Sequence, residues 1–287
     1  MSDNHHCQWK IALTATPHQH HGVPLLLCGD LPGAFRHAAE EGCQAVEIHL
    51  GRADELDANA LKQLIADSGL SVPTLGTGLA ASDGLSFASP HRVVRARTVE
   101  RVNGHTELAA EIGSAVTIGI LSGKLGQCNA EEFLRRRSLA LDCLDQVCEF
   151  ARRRGVVILL EPLNRYECDY INTLADGMRV IEEIGAPNLR LLADTFHMNI
   201  EEIDLRASLI AAGSHIAHVH LADTNRQVPG HGHMDLAGIL DALSTIHYED
   251  YLSLEVLPLP DAETAIRDAI RVLRTSEARV PPQSSRA

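Results

Sequence analysis

Four side chains of the metal-ligand type stand at the ends of four successive apolar runs. Glu161 follows VVILL, Asp194 closes LLAD, His220 ends HVH, and Glu255 lies between Leu254 and Val256. Each alone could be a helix cap or half of an ion pair, because an ionisable group in an apolar segment needs a partner. The spacing joins them into a set. From Glu161 to Asp194, Asp194 to His220 and His220 to Glu255 the steps are 33, 26 and 35 residues, each about one strand–helix unit. Three carboxylates gathered this way cannot all stay ionised without a cation, since like charges raise one another's pKa. One divalent metal ion per chain resolves the conflict. Three oxygen donors and one imidazole suit Mn²⁺, Mg²⁺ or Co²⁺ better than a structural zinc site, with Mn²⁺ foremost and Zn²⁺ still admissible. Coordination positions left open would take substrate oxygens. Glu167, six residues past Glu161, His197, three past Asp194, and Arg226, six past His220, form a polar surround to the same cluster.

Such residues converge only if the chain wraps its strands around one axis. Eight β-rich runs alternate with helix-like segments: Trp9–Ala15, Ala45–Leu50, Val72–Gly76, Ala115–Leu121, Val156–Pro162, Arg190–Asp194, Ile216–Ala222 and Tyr251–Leu257. Near-continuous apolar runs of this kind suit parallel strands covered on both faces. Between them, Asp57 and Thr173 read as helix N-caps, and Gly69 and Gly185 as the matching stops. Segments 93–113 and 131–155 read as long amphipathic helices, and Asp235 and Asp261 open two more. No G-x-G-x-x-G follows the first strand, which argues against an open nucleotide-binding sheet. The expectation is one α/β domain over residues 1–287, a single (β/α)8 TIM barrel, with 280–287 a frayed polar tail. In a barrel of this type the chemistry sits at the C-terminal strand ends.

The motifs LLEPLNRYE (159–167), ADTFHMN (193–199), HVHLADTNR (218–226), PGHGHMD (229–235) and SLEV (253–256) resemble those of the xylose isomerase-like sugar isomerase and epimerase barrels. Within these barrels the chain is most similar to the ketose 3-epimerases (tagatose and psicose epimerases) and the hydroxypyruvate isomerases. The resemblance implies that Glu161, Asp194, His220 and Glu255 hold the metal and that Glu161 and Glu255 also move the substrate proton. It further implies that Glu167, His197 and Arg226 hydrogen-bond the substrate. The implied reaction is epimerisation of a small ketose or keto sugar acid, by proton abstraction beside the carbonyl through an enediolate at the metal. Aldose–ketose isomerisation, as by a hydroxypyruvate isomerase, uses the same residues and stays open. So does dehydration of a cyclic keto-polyol. The resemblance also admits a homodimer or homotetramer.

Composition excludes other classes. Lys plus Arg number 25 against 38 Asp plus Glu, for a net charge of −13. That balance speaks against nucleic acid or an anionic membrane as partner, since both call for clustered basic residues. It therefore disfavours a metal-dependent abasic-site nuclease, which shares this barrel type. A non-catalytic sugar-binding barrel would not need both Glu161 and Glu255. No run approaches the roughly 18 apolar residues of a membrane span. The seven cysteines are scattered with no C-x-x-C pair, and Met1–Lys10 is polar, so a cytoplasmic location is expected. The loops His18–Gly22, Thr77–Ser89 and Ser122–Gly126 are expected to line the distal pocket. Lys124 and Arg165 are candidates for holding a substrate carboxylate or phosphate, though ordinary surface roles suit them better.

Overall fold

The computed structural model describes residues 9–277. The expected tail at 280–287 lies outside these residues, as do His5, His6 and Cys7. Nine parallel strands form one sheet: β1 (Lys10–Thr16), β2 (Leu27–Cys28), β3 (Ala45–His49), β4 (Thr74–Gly76), β5 (Ala115–Ile118), β6 (Ile158–Leu160), β7 (Leu189–Asp194), β8 (Ile216–His220) and β9 (Tyr251–Leu254). The pairing of β1 with β9, Lys10 opposite Tyr251 through Leu13 opposite Leu254, closes eight of them into a barrel. The two-residue β2 is an addition along the edge of β1, at Ala15 and Thr16. The expected single (β/α)8 barrel is the fold.

The helices wrap the outside, with α1 at Leu31–Glu40, α2 at Ala58–Ser68, α3 at Arg92–Ile112, α4 at Ala130–Arg152 and α5 at Leu174–Ile184. They continue with α6 at Thr195–Glu201, α7 at Leu205–Ala212, α8 at Leu236–Thr245 and α9 at Ala262–Glu277. The caps act as the sequence requires. Asp57 accepts a hydrogen bond from the Ala60 amide at 2.8 Å, and Gly69 ends α2 in the left-handed region at φ 68°. Thr173 and Asp176 form a reciprocal capping box at the start of α5. Among the described residues no helix is long and apolar enough to cross a membrane.

Several strands are shorter than their apolar runs. β6 covers only Ile158–Leu160 of the run 156–162, yet the ladder continues one step, because the Glu161 amide donates to the Ile118 carbonyl at 3.0 Å. Pro162 then has no amide to donate, and it also holds the residue before it extended. Glu161 is thus delivered at the strand mouth.

The barrel interior between β1, β3, β8 and β9 is polar. Thr14 stands beside Glu47 and Ala12 beside Ser253 in the ladder. The small residues Ala12 and Ser253 leave room for two large ones, Glu47 and His218, which are buried within hydrogen-bonding distance of each other.

Candidate metal centre

Each ligand-type residue leaves the barrel at the same rim. Glu161 follows β6, Asp194 ends β7, His220 ends β8, and Glu255 follows β9. One donor atom from each lies within 4.8 Å of every other, and all four residues are buried. His220 Nδ1 is 3.3 Å from Glu161 Oε1, 3.7 Å from Asp194 Oδ2 and 3.2 Å from Glu255 Oε2. Two of these buried atoms, His220 Nδ1 and Glu161 Oε1, have no hydrogen-bond partner among the described residues. Buried polar atoms are otherwise nearly always satisfied. Two orphaned donor atoms facing each other among carboxylates fit a divalent cation, as does the hard oxygen-rich set.

The electrostatics are uneven. Burial pushes the Glu161 carboxyl up, with the Glu255 charge adding to it, and this outweighs the pull of His220. Burial opposes ionisation of Glu255 too, but the charges of Arg226 and His220 overcome it and hold this carboxyl below its ordinary value. Asp194 is lowered in the same way by Arg226 and His197, against burial. Burial lowers His220, yet Glu47 and the surrounding carboxylates hold it well above an ordinary histidine. A cation taking Nδ1 would therefore displace a proton from that nitrogen.

Sequence reasoning passed over two residues of this site. Glu47 and His49 lie on β3, within the fully buried strand AVEIH. Glu47 Oε1 is 3.0 Å from His220 Nε2 and 3.0 Å from His49 Nε2, while Oε2 is 2.8 Å from His218 Nε2. Burial disfavours the Glu47 charge, but His220 and His218 hold it well below the usual carboxylate range. An ionised Glu47 accepts the Nε2–H of His220 and so turns Nδ1 toward the carboxylate cluster, where its lone pair would serve a cation once its proton is displaced, as second-sphere carboxylates do for metal-binding histidines. Glu47, His218 and His220 form a second tight buried group, with one donor atom of each within 4.8 Å of the others. Their contacts are already hydrogen bonds, so they are read as support for His220. The signal was available, since a carboxylate inside an apolar strand is the same anomaly as Glu161. It lay mid-strand, where strand-end reasoning does not look.

The polar surround falls as expected. His197 accepts from the Asn164 side-chain amide at Nδ1 (2.8 Å), which leaves its Nε2 proton 3.7 Å from Asp194. Glu167 Oε1 accepts from the same Asn164 amide at 3.0 Å. Arg226 donates to Asp194 at 2.7 Å and to Glu255, and its guanidinium lies 4.7 Å from the Phe196 ring centre. Its backbone sits at φ 60°, pinned by its amide N–H donating to the Asp223 carbonyl at 2.9 Å and by the Leu257 amide donating to its own carbonyl at 2.7 Å.

Glu161, Glu167, His197, His220, Arg226 and Glu255 floor a cavity of about 220 Å³. Its wall includes Val23, Pro24, Leu25, Leu79, Ile120 and Leu163. Two expectations about the distal loops change. His18–Gly22 and Ser122–Gly126 do not line this cavity, and of 77–89 only Thr77, Gly78 and Leu79 do. Lys124 donates to the Tyr166 carbonyl and Arg165 pairs with Glu201 at 2.9 Å, so neither faces the cavity.

The sequence profile of the xylose isomerase-like TIM barrels matches residues 35–276. The chain belongs to this family. Among the xylose isomerase-like barrels it is 34% identical to an L-ribulose 3-epimerase of Mesorhizobium japonicum over 226 residues, 79% of this chain and 75% of that protein. It is 32% identical to a 3-dehydro-D-guloside 4-epimerase of Escherichia coli over 248 residues, 84% of this chain and 93% of that protein. The solved apo structure of an E. coli 3-keto-D-glucoside 4-epimerase superposes with a TM-score of 0.77 at 27% identity, covering 93% of this chain and 99% of that one.

Proposed function

We propose that this member of the family is a divalent-metal-dependent sugar epimerase acting on a small ketose or keto sugar, with Mn²⁺ the preferred ion. The observation that carries the proposal is the buried four-residue cluster with its two orphaned donor atoms, at the floor of a cavity sized for one monosaccharide. The named relatives, which are sugar 3- and 4-epimerases, support the reaction class.

A bound divalent ion would supply Lewis acidity, polarising a ketone and acidifying the neighbouring C–H. The protein supplies the rest. Glu255, biased toward its ionised form, takes the proton from carbon. Glu161, biased toward its protonated form, returns one. Carboxyl groups whose environments push them apart make such an acid and base pair. They approach from β9 and β6, on either side of the ligands from β7 and β8, as delivery to opposite faces of a carbon requires. His197 Nε2 and the Arg226 guanidinium are placed to stabilise negative charge on the substrate oxygens. Among the described residues the only guanidinium or ammonium lining the cavity is Arg226, already paired with two carboxylates, which favours a neutral sugar over a phosphorylated one.

The test is NMR in deuterated water with a panel of C4 to C6 ketoses and keto acids. Chelator-treated protein should be inactive and regain activity with Mn²⁺ or Co²⁺. Deuterium should enter one carbon beside the ketone, and its position separates epimerisation from isomerisation. Exchange that persists undiminished in metal-stripped protein would overturn the proposal.

Gly119 offers a second check. A Cβ there would lie 2.2 Å from Glu161 Oε2, so Gly119→Ala should displace that carboxyl and lower kcat by about 10² or more. Wild-type turnover in this variant would mean that Glu161 can move without consequence.

A further inference from the structure

His49 enters the cavity from the side opposite Asp194. Around the closed barrel β3 stands four strands from β7 in either direction, so His49 faces the part of a substrate that extends past the ligand cluster. Its ring is fixed at one nitrogen. Nε2 lies 3.0 Å from Glu47 Oε1 and 3.9 Å from Glu255 Oε1. Glu47 is held ionised by His220 and His218, and an ionised carboxylate only accepts hydrogen bonds. Nε2 therefore carries the proton that Glu47 takes, and the neutral ring presents Nδ1 as an acceptor.

That acceptor is open. Nδ1 makes no hydrogen bond among the described residues, and unlike His220 Nδ1 it is not sealed by its neighbours. Gly76 provides the space, since a Cβ there would lie 2.4 Å from Nδ1. Both residues line the cavity. The threonines on this side bond within the barrel. The Thr77 hydroxyl donates to the Thr117 carbonyl at 2.7 Å, and the Thr117 hydroxyl pairs with that of Thr74 at 2.8 Å. The wall around them is apolar, with Val23, Pro24, Leu25 and Leu79. An acceptor in such a wall favours a ligand that brings it a donor and penalises one that leaves it unpaired. A hydroxyl satisfies it. A methylene leaves it unpaired, and a carboxylate sets acceptor against acceptor.

We infer that His49 is a specificity-determining residue, whose Nδ1 accepts a hydrogen bond from one hydroxyl of the sugar outside the pair of oxygens that faces the ligand cluster. The inference rests on the epimerase reading of the cavity. It gives Glu47 a second task, because the carboxylate that bonds His220 also sets the tautomer of His49.

The test uses the full-length, Mn²⁺-loaded protein with D-fructose and its 1-, 4-, 5- and 6-deoxy derivatives. Wild type should lose about tenfold or more in kcat/KM on the derivative that lacks the bonded hydroxyl. His49→Gln should lose a similar factor on D-fructose and little more on that derivative, as a double-mutant cycle requires of a direct contact. Gln can still donate to Glu47 from the place of Nε2 but has no acceptor where Nδ1 stands. His49→Asn has the reverse character, with an amide oxygen at the place of Nδ1, and should keep the discrimination. An equal loss in His49→Gln on all five sugars, or discrimination kept by Gln and lost by Asn, would overturn the inference and leave His49 as a partner of Glu47. Ring NMR of ¹⁵N-histidine-labelled, Mg²⁺-loaded protein decides the question without turnover. The His49 signals are those missing from His49→Gln. They should show the Nε2–H tautomer, and D-fructose or L-ribulose should shift Nδ1 as a new hydrogen bond does. A proton on Nδ1, or no shift with either sugar, removes the assignment. A shift without deuterium uptake by any ketose would sink the epimerase reading and leave the His49 contact standing.

Discussion

Glu255→Gln is expected to lower kcat by about 10²–10⁴-fold, the range for removing a general base, while the barrel stays folded. Gln keeps the size of the side chain and can still accept one hydrogen bond from Arg226, which now bonds Glu255 and Asp194 together. It removes the charge that makes this carboxyl a proton acceptor. Arg226 and His220 hold Glu255 ionised against its burial, so at neutral pH the base is ready before substrate arrives. Among the described residues no arginine is hydrogen-bonded to Glu161, and burial pushes it the other way. The check is kcat for the Mn²⁺-loaded variant, with bound manganese measured separately so that loss of metal is not mistaken for loss of base. A variant within about threefold of wild type would remove Glu255 from the chemistry.

Glu47→Gln is expected to weaken Mn²⁺ binding by about 10–100-fold, the usual effect of losing a second-sphere carboxylate. Glu47 lies outside the cavity lining. It is fully buried, and its two oxygens serve three imidazoles at 2.8–3.0 Å. An amide has one accepting oxygen, so at least one of the three must lose its acceptor. His220 is then free to place its proton on Nδ1, the nitrogen the cation needs. Manganese titration followed by electron paramagnetic resonance reads this directly, without an activity assay. Glu47→Ala should add a loss of stability of about 3–5 kcal/mol, because removing one partner strands the buried groups opposite. Unchanged manganese affinity in a folded Glu47→Gln protein would assign Glu47 to packing alone.

Sequence made the C-terminal half of the site legible because each ligand violates its surroundings in one dimension. Glu161 after VVILL and Glu255 between Leu254 and Val256 are anomalies along the chain, and their repeat spacing announces the barrel. What stayed hidden is set across the chain. Glu47 is an anomaly too, but its meaning depends on β3 standing two places from β9 around the closed barrel, 171 residues from its partner His218. The short strand β2 was missed because two residues carry no periodicity.

Barrel closure has a consequence for how the protein is made. The four proposed ligand residues span 161–255, but the carboxylate bonded to His220 comes from residue 47, and the rim is complete only when β9 pairs with β1. A chain emerging from the ribosome cannot present this site until β9 has left the exit tunnel and paired with β1. Under the proposed function, the metal ion would therefore meet an assembled barrel rather than a nascent chain.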